Sequence, residues 1–200
     1  MKLQTAPLIH ELEDGHEYEF VQAAIETSMT KGIEALTSPD NRFYAFYDPA
    51  DLEGTLQRTL SQLDEYISHE GPFDMVMGFS AGAVTAALYM LEKQRQGAKV
   101  PFRGAVFLSS ASSEAERAHL CVGTGGDDVL RAPTAHIWGS ADEDAPTGGW
   151  DLARICDSDR RQILIHDGGH ELPRKEYLTQ AVHVIRRMLL DAKVADEGSG

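Results

Sequence analysis

Short apolar runs alternate along the chain with stretches that repeat at helical spacing. Phe73–Gly78 (FDMVMG), Gly104–Leu108 (GAVFL), Ala135–Trp138 (AHIW) and Gln162–His166 (QILIH) have few polar interruptions. That is the pattern of parallel strands covered on both faces. Glu17–Val21 (EYEFV), aromatic and β-branched, is predicted as a further strand. Leu52, Leu56, Leu60, Leu63 and Ile67 form one helical stripe. Asp48-Pro49 reads as its N-cap and first position, and Gly71-Pro72 as its stop. Ala81–Gln96, rich in Ala, Leu and Met, predicts a buried helix. Pro173 is expected to open a last helix with Tyr177, Ala181, Val184, Ile185 and Met188 on its inner face. Gln22–Tyr47 and Ser109–Arg131 hold turn formers and few periodic apolar positions, so the pattern assigns them no element. Strands alternating with helices predict an α/β fold, a mostly parallel sheet with helices on both faces.

Composition narrows this picture. The 200 residues, 42% hydrophobic, suffice for one domain with one core. Residues 1–194 are therefore read as a single domain and residues 195–200 as a flexible tail. A net charge of −14 argues against nucleic acid or an anionic membrane as partner, since either would be repelled. No window approaches 18 consecutive apolar residues, so no membrane span is expected. No apolar run follows Lys2, which gives no secretory signal and makes the cytoplasm the expected location. Cys121 and Cys156 lack Cys-x-x-Cys spacing and are expected as reduced thiols. Asp127-Asp128 and Asp142-Glu143-Asp144 read as solvated acidic loops without metal-ligand spacing. Neither a metal nor a cofactor is expected.

The chemistry concentrates at Gly78-Phe79-Ser80-Ala81-Gly82, which fits the G-x-S-x-G nucleophile elbow. A hydrophobic strand ends at this point and a small-residue helix begins, which is the setting the motif requires. Ser80 is the candidate nucleophile. The N–H of Ala81, at the helix N-terminus, is the candidate oxyanion donor. A serine hydroxyl needs a base. Among eight histidines, His170 lies in the glycine-rich loop His166-Asp-Gly-Gly-His170 after the last predicted strand, on the rim that carries Ser80. His166 reads as structural, and His136 as a histidine satisfied within the core. Asp142, in the loop after Ala135–Trp138, is the candidate third member that orients the imidazole. The order Ser, Asp, His is that of α/β-hydrolases. Phe79, Phe43 and Tyr47 are candidate substrate-pocket residues. A packed aromatic cluster explains Phe43, Tyr44, Phe46 and Tyr47 equally well.

At these residues the chain resembles the FSH-type fungal serine hydrolases, a branch of the α/β-hydrolases. The resemblance rests on Gln4-Thr5-Ala6, Gly15–Val21, Phe46-Tyr47-Asp48, Gly71-Pro72-Phe73-Asp74, Gly78–Ala83, Trp138–Asp142 and Gly168–Pro173. It implies hydrolysis of an ester or thioester of a small hydrophobic acyl group, without a cofactor. It further implies a setting in secondary metabolism, such as polyketide release from a carrier protein. One departure stands out. The family's pattern has a hydrophobic strand and a His-Gly loop ahead of the position of Gln4, and that loop supplies the second oxyanion N–H. Here Met1-Lys2-Leu3 stands there. Glu17–Val21 and Phe73–Gly78 would then pair directly, keep exposed edges or take a strand from elsewhere, as in a homodimer. Losing one oxyanion donor costs about 10²–10³ in turnover. The alternative reading is therefore a non-hydrolytic protein that binds a small molecule, or an isomerase or cyclase with His170 as base.

Overall fold

A computed structural model describes residues 2–12, 15–27, 42–48, 50–111, 114–120 and 129–197. By its contacts the chain divides into two compact units, Met1–Glu17 with Pro72–Gly200, and Tyr18–Gly71.

The larger unit is built on a parallel four-stranded sheet. Strands β3 (Met75–Phe79), β4 (Gly104–Leu108), β5 (Thr134–Gly139) and β6 (Arg161–His166) lie side by side in chain order. Every residue of β4 and β5 is buried, whereas β3 and β6 are half-covered at the edges. This accounts for the largely apolar runs of the central pair. Among the described residues β3 pairs with β4 alone. The fold is thus the α/β architecture that the strand and helix patterns predict.

Helix α3 (Ala81–Arg95) is buried from Ala83 to Leu91, as its Ala-rich, all-round apolar sequence predicts. Helix α6 (Glu176–Glu197) turns Ala181, Val182, Ile185 and Met188 into the core. It starts three residues after Pro173, the predicted opening, and takes in residues 195–197, which composition placed in a tail. Helix α1 (Lys2–Leu12) was not visible in the pattern. Its Leu8 and Leu12 join Val106, Leu108, Ile137 and Ile185 in one cluster. Arg186 Nη2 donates to the carbonyl of Leu12 at 2.7 Å and closes the helix end. Short helices α4 (Glu114–His119) and α5 (Gly148–Arg154) fill the stretches after β4 and β5.

His136, inside β5, is 1% exposed and shares a 2.9 Å hydrogen bond with Thr134 Oγ1. Burial pushes its pKa down to about 3, and the Arg161 charge adds to the shift. It is the neutral core histidine expected from its place in a strand. Cys156 is buried and its thiol donates to the Leu152 carbonyl at 3.4 Å. Burial pushes that thiol up to about 12. Cys121, Asp127 and Asp128 lie outside the described residues.

The smaller unit holds an antiparallel pair, β1 (Ile25–Thr27) and β2 (Phe43–Ala45), and helix α2 (Leu52–Glu70). Leu52, Leu56 and Leu60 of the predicted stripe are buried. Two expectations are corrected here. Glu17–Val21 forms no strand; Glu17, Glu19 and Val21 are exposed beside half-buried Tyr18 and Phe20, so the aromatic residues pack without drawing the run into a sheet. The cap of α2 is Asp51, which accepts from Gly54 N at 3.2 Å. Asp48 spends its carboxylate on Ala50 N at 2.9 Å, a local turn that delays the helix.

Candidate active site

Three loops at the C-terminal ends of β3, β5 and β6 converge beside α3. Strand β3 ends at Phe79, and Ser80 takes φ 54°, ψ −124° before α3 begins at Ala81. A positive φ is costly for a side chain larger than hydrogen, and it is the bend that lifts the hydroxyl clear of the sheet. Small neighbours permit this bend. A Cβ on Gly78 would come within 2.5 Å of the Gly82 carbonyl oxygen and 2.6 Å of Ala83 N. Ser80 N donates to Leu108 O at 2.9 Å, which extends the β3–β4 ladder up to the bend.

After β5 the chain turns through Ser140 and Ala141 to Asp142, whose side chain is almost fully buried. Its Oδ1 accepts from Ala145 N at 2.8 Å. Its Oδ2 lies 2.7 Å from His170 Nδ1. On the other side of the ring, His170 Nε2 lies 2.8 Å from Ser80 Oγ. The structure thus brings together Ser80, Asp142 and His170, which are far apart in sequence. Phe79 is half-buried, with its ring centroid 5.3 Å from that of His170. The N–H of Ala81 opens α3 next to Ser80, where a helix has no acceptor of its own for it.

The His170 loop is held at both ends. Ser140 N donates to His166 O at 2.8 Å and Ala141 N to Gly168 O at 3.0 Å. A Cβ on Gly139 would collide with the carbonyl oxygens of Gly168 and Gly169, so this close approach needs glycine. His166 is buried, and its Nδ1 accepts from Gly168 N at 3.1 Å. Burial lowers its pKa against the opposing pull of the Glu171, Asp167 and Asp142 carboxylates. That is the structural role expected for it. At the far end of the loop Ser109 Oγ donates to Glu171 O at 3.0 Å. Nothing in the sequence marks Ser109, because a serine after an apolar run carries no motif.

A cleft of about 320 Å³ opens beside the imidazole, bordered by Gln4, Leu8, Phe79, Leu172 and Leu178. Phe43 and Tyr47, expected in a substrate pocket, belong to the Tyr18–Gly71 unit. Phe43 is half-buried in β2, and Tyr47 is 4% exposed. Donor atoms of Asp142, Asp144 and His170 lie within 4.8 Å of one another. Both ring nitrogens of His170 are already engaged, so a cation here would have to break the hydrogen-bonded chain.

A family model described as serine hydrolase (FSH1) matches residues 1–182. The chain belongs to this family. Esterase FPY3 of Fusarium mangiferae is 33% identical over 87% of the chain and 82% of its own length. Hydrolase FUB4 of Gibberella moniliformis is 33% identical over 55% of the chain, which spans only 41% of that relative. Among solved structures, a carboxylesterase from Mesorhizobium loti superposes with a TM-score of 0.58, covering 94% of this chain and 82% of its own at 16% identity. That likeness is one of fold. No helix among the described residues is long and apolar enough to cross a membrane.

Proposed function

We propose that this FSH1-family chain is a serine esterase working through an acyl-enzyme on Ser80, with His170 as base and Asp142 as the group that orients it. The reading is supported by one observation above all, the continuous chain from Asp142 through His170 to Ser80, with links of 2.7 and 2.8 Å. Asp142 Oδ2 holds the proton on Nδ1, which leaves Nε2 free to accept the Ser80 proton as Oγ attacks the acyl carbonyl. The oxyanion forms beside the N–H of Ala81. His170 then passes its proton to the departing alcohol or thiol. Water deprotonated by the same nitrogen attacks the acyl-enzyme, releases the acid and restores Ser80.

The apolar border of the cleft, Leu8, Phe79, Leu172 and Leu178, suits a hydrophobic acyl group. A thioester substrate on a carrier protein, in a secondary-metabolite pathway, is the finer form of the proposal.

A fluorophosphonate probe tests the chemistry. Peptide mapping of the folded protein is expected to find the adduct on Ser80, and Ser80→Ala is expected to lose both labelling and p-nitrophenyl ester hydrolysis. A Ser80→Ala variant that hydrolyses esters at the parent rate refutes the mechanism. Comparing an acyl alcohol ester with the same acyl group on phosphopantetheinyl carrier protein then separates esterase from thioesterase.

A further inference from the structure

We propose that Ser109 is a positioning residue that sets the distance between nucleophile and base. The inference rests on the acyl-enzyme reading above and goes beyond it, because Ser109 belongs to neither the motif nor the triad.

Ser109 follows the last residue of β4, the strand next to the nucleophile's own. It is 1% exposed and takes φ 39°, an uncommon backbone for a residue with a Cβ. Its N–H continues the ladder to Ile137 O at 2.8 Å, which fixes the backbone. The bend aims its hydroxyl at Glu171 O, 3.0 Å away and one residue past His170. The preceding residue, Leu108, accepts the N–H of Ser80 at 2.9 Å. One dipeptide therefore holds the nucleophile with its first residue and the base loop with its second.

The loop's other attachments point elsewhere. Ser140 to His166 and Ala141 to Gly168 tie its first half to the turn that carries Asp142. His170 thus sits between two clamps. One keeps it against Asp142, and the other, made by Ser109, keeps it against Ser80. Releasing the Ser109 clamp is expected to lengthen the link from His170 to Ser80 and to spare the link from His170 to Asp142. A collapse of the loop would break both. Displacing a reacting pair by about 1 Å can cost a factor of about 10² in rate.

Ser109→Gly is the informative variant. It removes the hydroxyl and tolerates the positive φ, so the backbone path is preserved. With a soluble p-nitrophenyl ester, kcat is expected to fall between about tenfold and a hundredfold, with KM within about twofold of the parent. Fluorophosphonate labelling of Ser80 should slow in parallel. The low-field proton resonance of His170 Nδ1 should persist, reporting an intact bond to Asp142. Ser109→Cys, which restores a weak donor of similar shape, should recover part of the rate. Parent-like kcat and labelling in a folded Ser109→Gly protein overturn the proposal. Loss of the low-field resonance together with activity also overturns it, since the role would then be general support of the loop. If the unsubstituted protein neither labels nor hydrolyses any ester, the acyl-enzyme reading itself has failed, an outcome distinct from both.

Discussion

Asp142 turns its two oxygens toward partners with different demands. Oδ1 faces the Ala145 N–H at 2.8 Å, and Oδ2 faces His170 Nδ1 at 2.7 Å. An asparagine here has to keep its carbonyl oxygen toward Ala145, because a backbone N–H cannot face an amide NH₂. The NH₂ then meets Nδ1, which must act as acceptor, and the ring proton moves to Nε2. In that tautomer the imidazole cannot take the Ser80 proton. Asp142→Asn is therefore expected to fold normally and to lower kcat by about 10⁴. Steady-state kinetics alongside circular dichroism checks this, and a variant within tenfold of the parent would remove Asp142 from the mechanism. The residues that form this chain were legible in the sequence because each sits in a recognisable frame, an elbow or a glycine-rich loop after an apolar strand. Ala145 and Ser109 were not, since a backbone N–H and a lone serine leave no mark on a one-dimensional pattern.

Legibility among the elements followed the depth of burial. Strands β4 and β5 are buried at every residue, and their apolar runs predicted them within a residue or two. Helix α5 went unread because it opens with Gly148-Gly149, a pair that disfavours a helix. The glycines are required by packing, since a Cβ on Gly149 would enter the Trp138 ring and one on Gly148 would meet the Ser110 carbonyl. Helix α1 was obscured by Pro7 in its interior. Its buried Leu12 anchors it to the sheet cluster, so Leu12→Ala should destabilise the protein by about 2–5 kcal/mol in urea unfolding. Strand β5 predicts a pH effect as well. His136 is held near pKa 3 in the fold against an ordinary value of 6.5. The unfolded chain therefore binds a proton that the native strand refuses, so stability is fully present above about pH 6.5 and is lost as pH falls toward 3. Replacing His136 with Gln should flatten the fall in Tm across that window. A parallel Tm–pH curve in the variant would assign the acid sensitivity to other groups.

At the scale of the whole molecule the dominant feature is charge. Eighteen basic residues oppose thirty-two acidic ones, leaving −14 before any local arrangement is counted. Such a net charge disfavours the approach of anions from a distance, and salt weakens the effect as the screening length shrinks from about 30 Å at 0.01 M to about 8 Å at 0.15 M. At the cleft, Arg174 is paired with Glu171 at 2.7 Å. For esters matched in acyl length, kcat/KM for a carboxylate-bearing substrate should therefore rise with ionic strength over that range, and kcat/KM for its neutral counterpart should stay flat. Because screening acts on encounter rather than chemistry, kcat for both should be insensitive to salt. The opposite slope for the anionic ester would mean that Arg174 and Lys175, which border the cleft, outweigh the net field and draw anions in. The favoured substrates would then be acidic acyl groups instead of neutral hydrophobic ones.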